Sequence, residues 1–82
     1  MSIAGKVKSV LSANGKDYSG LASALGISSQ ALSNKFYRDS FSTEDLIIVA
    51  EYVGCELAFL SAGGSKIILE RADIKPKKAK GE

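Results

Sequence analysis

Histidine and tryptophan are absent from the 82 residues, and cysteine, methionine and proline occur once each. Without histidine, the commonest metal ligand and the commonest general base near neutral pH are both missing. The one thiol, Cys55, leaves no intramolecular disulfide and no protein-derived zinc site, and it is expected as a small buried apolar side chain. There is no Gly-rich phosphate loop of the required spacing and no nucleophile beside a base. Catalysis would rest on scattered carboxylates, so an enzyme is not expected. No run reaches the roughly 18–20 apolar residues of a membrane span, and no apolar core follows the N-terminus as in a secretory signal, which points to a cytoplasmic protein. Net charge is also small, 11 Lys and Arg against 9 Asp and Glu leaving +2.

What is present bounds the answer. A hydrophobic share of 45% argues against wholesale disorder. At 82 residues the chain reads as one small domain, of a size often marginal as a monomer, so association with a second copy would help. It leaves no room for a second, ligand-sensing domain, and no cofactor, metal or small-molecule ligand is expected.

The most informative stretch is residues 17 to 38. Leu21, Ala22 and Leu25 fall on one face of a first short helix, and Ala31, Leu32 and Phe36 on one face of a second. Between them, Gly26 suits the positive φ of a sharp helix exit, Ile27 plugs the corner, and Ser28 has a side-chain oxygen able to cap the second helix. Two amphipathic helices meeting across so tight a turn read as a helix-turn-helix.

On Leu21-Ala22, Leu25-Gly26, Ser28 and the run Gln30-Ala31-Leu32-Ser33-Asn34, the chain resembles the helix-turn-helix family of phage repressors and Cro, the Xre-like bacterial regulators. The resemblance extends from about Ile3 to Val53. It implies a DNA-binding regulator on a four-helix, lambda-repressor-like domain, the helical portion of a fold read as mostly α with a small β part. Where the family often carries a Gln that touches phosphate at the start of helix 2, this chain has Tyr18.

The rest of the chain completes that outline. Helices are expected at about 2–14, 18–25, 29–37 and 43–53, with Ile3, Val7, Val10 and Leu11 on one face of the first. Leu46 to Ala50 is apolar at five consecutive positions, which predicts a fourth helix covered from two sides. Two β-favourable runs, about 55–61 and 65–71, flank Ala62-Gly63-Gly64 and read as a hairpin. A fifth helix over 55–61 is the alternative. Leu57, Phe59, Ile67 and Leu69 form the apolar face of the hairpin, while Ala58, Leu60 and Ile68 leave the other face more apolar than a solvated surface tolerates. A homodimer through Ala58, Leu60 and Ile68, with Ile48 and Tyr52 of helix 4, is therefore expected. The domain is read as 1–72, and 73–82 as a disordered basic tail.

Charge is unevenly distributed. Residues 1–42 carry Lys6, Lys8, Lys16, Lys35 and Arg38 against Asp17 and Asp39, a net +3. Residues 43–72 carry a net −3, and the tail +2. One face suited to phosphates and another kept off them is what a nucleic-acid reader needs. If Leu32 and Phe36 point inward on helix 3, Gln30, Ser33, Asn34 and Tyr37 lie outward, with Ser29 at its start. The resemblance implies that this helix enters the major groove. Gln30 and Asn34, one turn apart, can each pair bidentately with adenine, and Ser29 and Ser33 can donate or accept at several bases. Phosphate contacts are assigned to Tyr18, Ser28, Lys35, Tyr37, Arg38 and Thr43. The partners expected are double-stranded DNA and a second copy, with no membrane. The competing reading is a protein-interaction module on the same scaffold, of antitoxin or anti-repressor type.

Overall fold

The computed structural model describes residues 2–74. Four helices come first: α1 (Ile3–Ala13), α2 (Tyr18–Leu25), α3 (Ser29–Arg38) and α4 (Thr43–Val53). An antiparallel hairpin follows, β1 (Leu57–Leu60) with β2 (Lys66–Leu69), and then a 3-10 turn, Arg71–Asp73.

Each helix starts where a short polar side chain accepts from a free backbone N–H. Ser2 accepts from Gly5, Asp17 from Gly20, Ser28 from Ala31 and Ser42 from Asp45, at 2.9–3.0 Å. At α4 the exchange is reciprocal, because the Asp45 carboxylate accepts from the Ser42 N–H at 3.0 Å. α2 ends at Gly26 in the left-handed region, φ 72°. α3 ends the same way at a residue other than glycine, Asp39, φ 56°.

The core joins all four helices: Ala4, Val7 and Leu11 of α1, Leu21 and Ala22 of α2, Leu32 of α3, and Val49 and Val53 of α4, closed by Phe41 from the α3–α4 loop. Val10, Leu25, Ile27, Phe36, Leu46 and Tyr52 pack against it, half-buried. α4 is covered on two sides, as its apolar run predicts. Val49 and Val53 face the helices, while buried Ile47 faces the hairpin, sharing a cleft with Leu57 and Leu69.

Residues 57–60 are a strand, so the expected hairpin stands and the alternative fifth helix does not. Four expectations are corrected. Both strands are shorter than the expected 55–61 and 65–71. Cys55 is exposed, because it stands in the turn between Gly54 and β1, and not inside a strand. The apolar face of the hairpin is covered only at its base. The register pairs Leu57 with Leu69 and Phe59 with Ile67. The first pair is half-buried, but Phe59 and Ile67, further from α4, are 67% and 65% exposed. Asp73, expected in the tail, belongs to the 3-10 turn and accepts from the Glu70 N–H at 2.9 Å. The rest of the expected tail, 75–82, lies outside the described residues.

Candidate nucleic-acid interface

The α2–turn–α3 unit is built from local bonds. Gly26 turns the chain, and the Ile27 N–H reaches back to the Ala22 carbonyl at 3.0 Å, the six-residue closure that satisfies a helix C-terminus. Ile27 then packs on the core beside Leu25. Ser28 sets the first turn of α3, and Leu32 anchors it with Phe36 half-buried.

With those two inward, Ser29, Gln30, Ser33, Asn34, Tyr37 and Arg38 are all exposed, Tyr37 at 90%. The Gln30 Nε2 group donates to Asn34 Oδ1 at 3.5 Å, a long bond that leaves one amide hydrogen of Gln30 and the NH2 of Asn34 free for other acceptors. The outward row is polar and held on a rigid helix. Such a row can hydrogen-bond the edges of bases or the side chains of a protein.

The residues assigned to phosphate differ in how free they are. Arg38 is exposed at the end of α3, and Thr43 is exposed at the first position of α4. Tyr18 is 48% exposed, and its ring lies 5.2 Å from that of Phe36, which in turn meets Phe41 edge-on at 5.2 Å. Ser28 uses its oxygen as a cap acceptor and keeps its O–H to donate. Lys35 is committed elsewhere, its ammonium 2.8 Å from Asp45 Oδ2 in a half-buried pair that ties α3 to α4. Burial pushes the Asp45 carboxyl up. The hydrogen bond from Lys35, the Ser42 backbone and side-chain bonds and the lysine's charge outweigh that and hold it below the usual carboxylate range.

The helix N-termini are electrostatically unequal. Carboxylates already occupy three of them: Asp39 accepts from the Ala4 N–H of α1 at 2.5 Å, Asp17 caps α2, and Asp45 closes the cap of α4. Among the described residues, only α3 starts on a neutral cap with no carboxylate bonded to its first turn. A positive helix end is therefore left unneutralised where the polar row begins.

The residues expected at a dimer interface differ in how exposed they are. Ile48 is half-buried on α4. Tyr52 is used within the chain, its hydroxyl donating to the Asp17 carbonyl at 3.2 Å and to Asp17 Oδ1 at 3.3 Å. Burial first, then the Asp17 charge, push its phenol up. Ala58 is half-buried, whereas Leu60 is 75% exposed and Ile68 39%.

Sequence reasoning missed Asp39, whose carboxylate joins the end of α3 to the start of α1, and Gly20. A Cβ on Gly20 would stand 2.0 Å from the Tyr52 hydroxyl oxygen, so glycine lets α4 close on α2. A glycine inside a helical pattern was the available signal. The bond from Arg71 to Glu51, which holds the 3-10 turn to α4, joins residues 20 apart and has no local signature.

A family model for the bacteriophage CI repressor helix-turn-helix domain matches residues 6–67. No curated protein and no solved structure matches the chain.

Proposed function

The chain belongs to the bacteriophage CI repressor helix-turn-helix domain family, a DNA-binding family of transcription regulators, and from that membership we propose a sequence-specific repressor that reads double-stranded DNA as a homodimer. The α3 helix enters the major groove, where Gln30 and Asn34 read bases, supported by Ser29 and Ser33. The observation that carries this reading is the outward row of α3, which rises from a helix end with no carboxylate on it. An anionic, hydrogen-bonding surface is the partner such an end favours. Ser28, Tyr37, Arg38, Tyr18 and Thr43 set register on phosphates. Lys35 acts mainly by fixing α3 to α4, given its bond to Asp45.

Two copies are needed because one helix contacts few base pairs, and regulators of this architecture place two half-sites about one turn of DNA apart. The test is selection of random duplex DNA by the purified protein at near-physiological salt, followed by sequencing of the bound pool. An inverted repeat with half-site centres ~10 bp apart is expected. Gln30→Ala and Asn34→Ala should each relax preference at one base pair of the half-site, losing about 1–3 kcal/mol of discrimination, with the thermal melt retained. Absence of any enriched sequence, with binding that vanishes as salt rises, would sink sequence reading and favour the protein-interaction module.

A further inference from the structure

Among the described residues, two apolar surfaces of this chain have no partner, and they share a residue. The first is a groove of about 290 Å³ between α1 and α4, lined by Ile3, Val7, Val10, Leu46, Ala50 and Leu57. The charged residues along it are Lys6 and Glu56, and none of its lining comes from α2 or α3. The second is the hairpin face that carries Phe59 opposite Ile67. Leu57 lines the groove and also belongs to that hairpin face.

The two faces of the hairpin are unequal. Lys66 reaches Glu56 at 2.7 Å, although the register sets Lys66 opposite Leu60. The bond spans four residues of strand, so the lysine stem lies along the Ala58 and Ile68 side and partly covers it. Among the described residues, nothing comparable covers Phe59 and Ile67. From Leu57 to Ser65 the chain carries no charge at all. Such a segment suits an apolar groove and is unsuited to water.

We propose that the two surfaces fill each other in a second copy of the chain: Phe59 of each copy seats in the α1/α4 groove of the other, with Ile67 packed beside it. This rests on the dimeric reading above and replaces the Ala58, Leu60 and Ile68 side as its contact. A cavity of ~150 Å³ already holds a benzene ring, so the groove has room for the Phe59 ring and part of a neighbour. A Phe59 that is 67% exposed is not seated in its own groove. Residues 75–82, Lys-Pro-Lys-Lys-Ala-Lys-Gly-Glu, offer no large apolar side chain to fill it. Reciprocal insertion closes by a two-fold axis and uses each pair of surfaces twice. It leaves α3 of both copies uncovered.

Sedimentation equilibrium of the full chain tests this, with Phe59→Glu, Ile3→Glu and Leu60→Ser as variants. Glutamate at the first position of α1 agrees with the helix dipole, so Ile3→Glu should keep its fold, and circular dichroism melts check all three. The wild type should dimerise reversibly. Phe59→Glu and Ile3→Glu should each raise the dissociation constant at least ~10-fold, and Leu60→Ser less than ~3-fold. Mixing the Phe59→Glu and Ile3→Glu variants should restore part of the association, since one intact groove then meets one intact hairpin. A dimer that survives both glutamates, or that yields to Phe59→Glu and not to Ile3→Glu, overturns the insertion and leaves the dimeric reading standing. A wild type that stays monomeric at every concentration overturns that reading as well.

Discussion

Asp17 shows how much one side chain does in a small domain. Its carboxylate caps α2 through the Gly20 N–H, and it accepts from Tyr52 of α4, 35 positions away. The same contact explains Gly20. In an exposed helix, Gly→Ala gains about 1 kcal/mol of helix propensity. Here the added methyl meets Tyr52 Oη at 2.0 Å and the ring carbon behind it at 2.8 Å, so the ring must move and its bond to Asp17 is lost. Overpacking of this kind costs about 1–3 kcal/mol. Gly20→Ala is therefore expected to lower stability by up to about 2 kcal/mol in urea unfolding. In a Tyr52→Phe background, where the nearest atom is gone, the same change should cost less. Equal costs in the two backgrounds would show that the phenol does not limit the approach of α2 to α4.

The elements are joined by pairs that local pattern does not disclose. Lys35 and Asp45 lie ten positions apart on different helices, with the Phe41 loop between them. The Asp45 carboxyl titrates below its ordinary value of about 3.9 in the folded chain. Its contribution is therefore complete above the unfolded value and is lost as pH falls through the folded one. Below pH ~4 the wild type should lose stability along a branch that Asp45→Asn flattens. At neutral pH the variant should already be weaker by about 1 kcal/mol, as a charge-assisted bond is removed. Parallel acid branches for the two proteins would show that another carboxylate controls acid unfolding. The four helices were legible because caps, the positive-φ glycine and 3.6-residue periodicity act within a few residues, and the hairpin because two-residue alternation and a Gly-rich turn do. The exposed polar row of α3 was legible for the same reason, once Leu32 and Phe36 were taken as inward. The uncovered half of the hairpin was not. Alternation tells which residues share a face, but it does not tell how far a strand pair extends past the helix that covers it. The groove between α1 and α4 was equally hidden, since Ile3 and Val10 read as core and sit at its rim.

At the scale of the molecule, charge is uneven, +3 over residues 1–42 and −3 over residues 43–72, and the excess of cations lies in the half that holds α2 and α3. Cations enter the binding equilibrium through counterion release, each neutralised phosphate adding about 0.9 to the slope of log K against log salt. Lys35 is spoken for by Asp45, while Arg38 is exposed at the end of α3. Arg38→Ala should weaken binding to all sequences alike and leave the base preference unchanged. The size of its effect also reports stoichiometry. A monomer on one half-site loses a single phosphate contact, so the slope should fall by about 1. A dimer loses the contact on both half-sites, so titration of the inverted repeat should show a fall of about 2 per bound complex. The hairpin variant Phe59→Glu, titrated on a single half-site, should return the smaller difference. A slope that does not change on removal of Arg38 would mean that this side chain points away from the phosphates and that other cations of the chain carry the salt dependence.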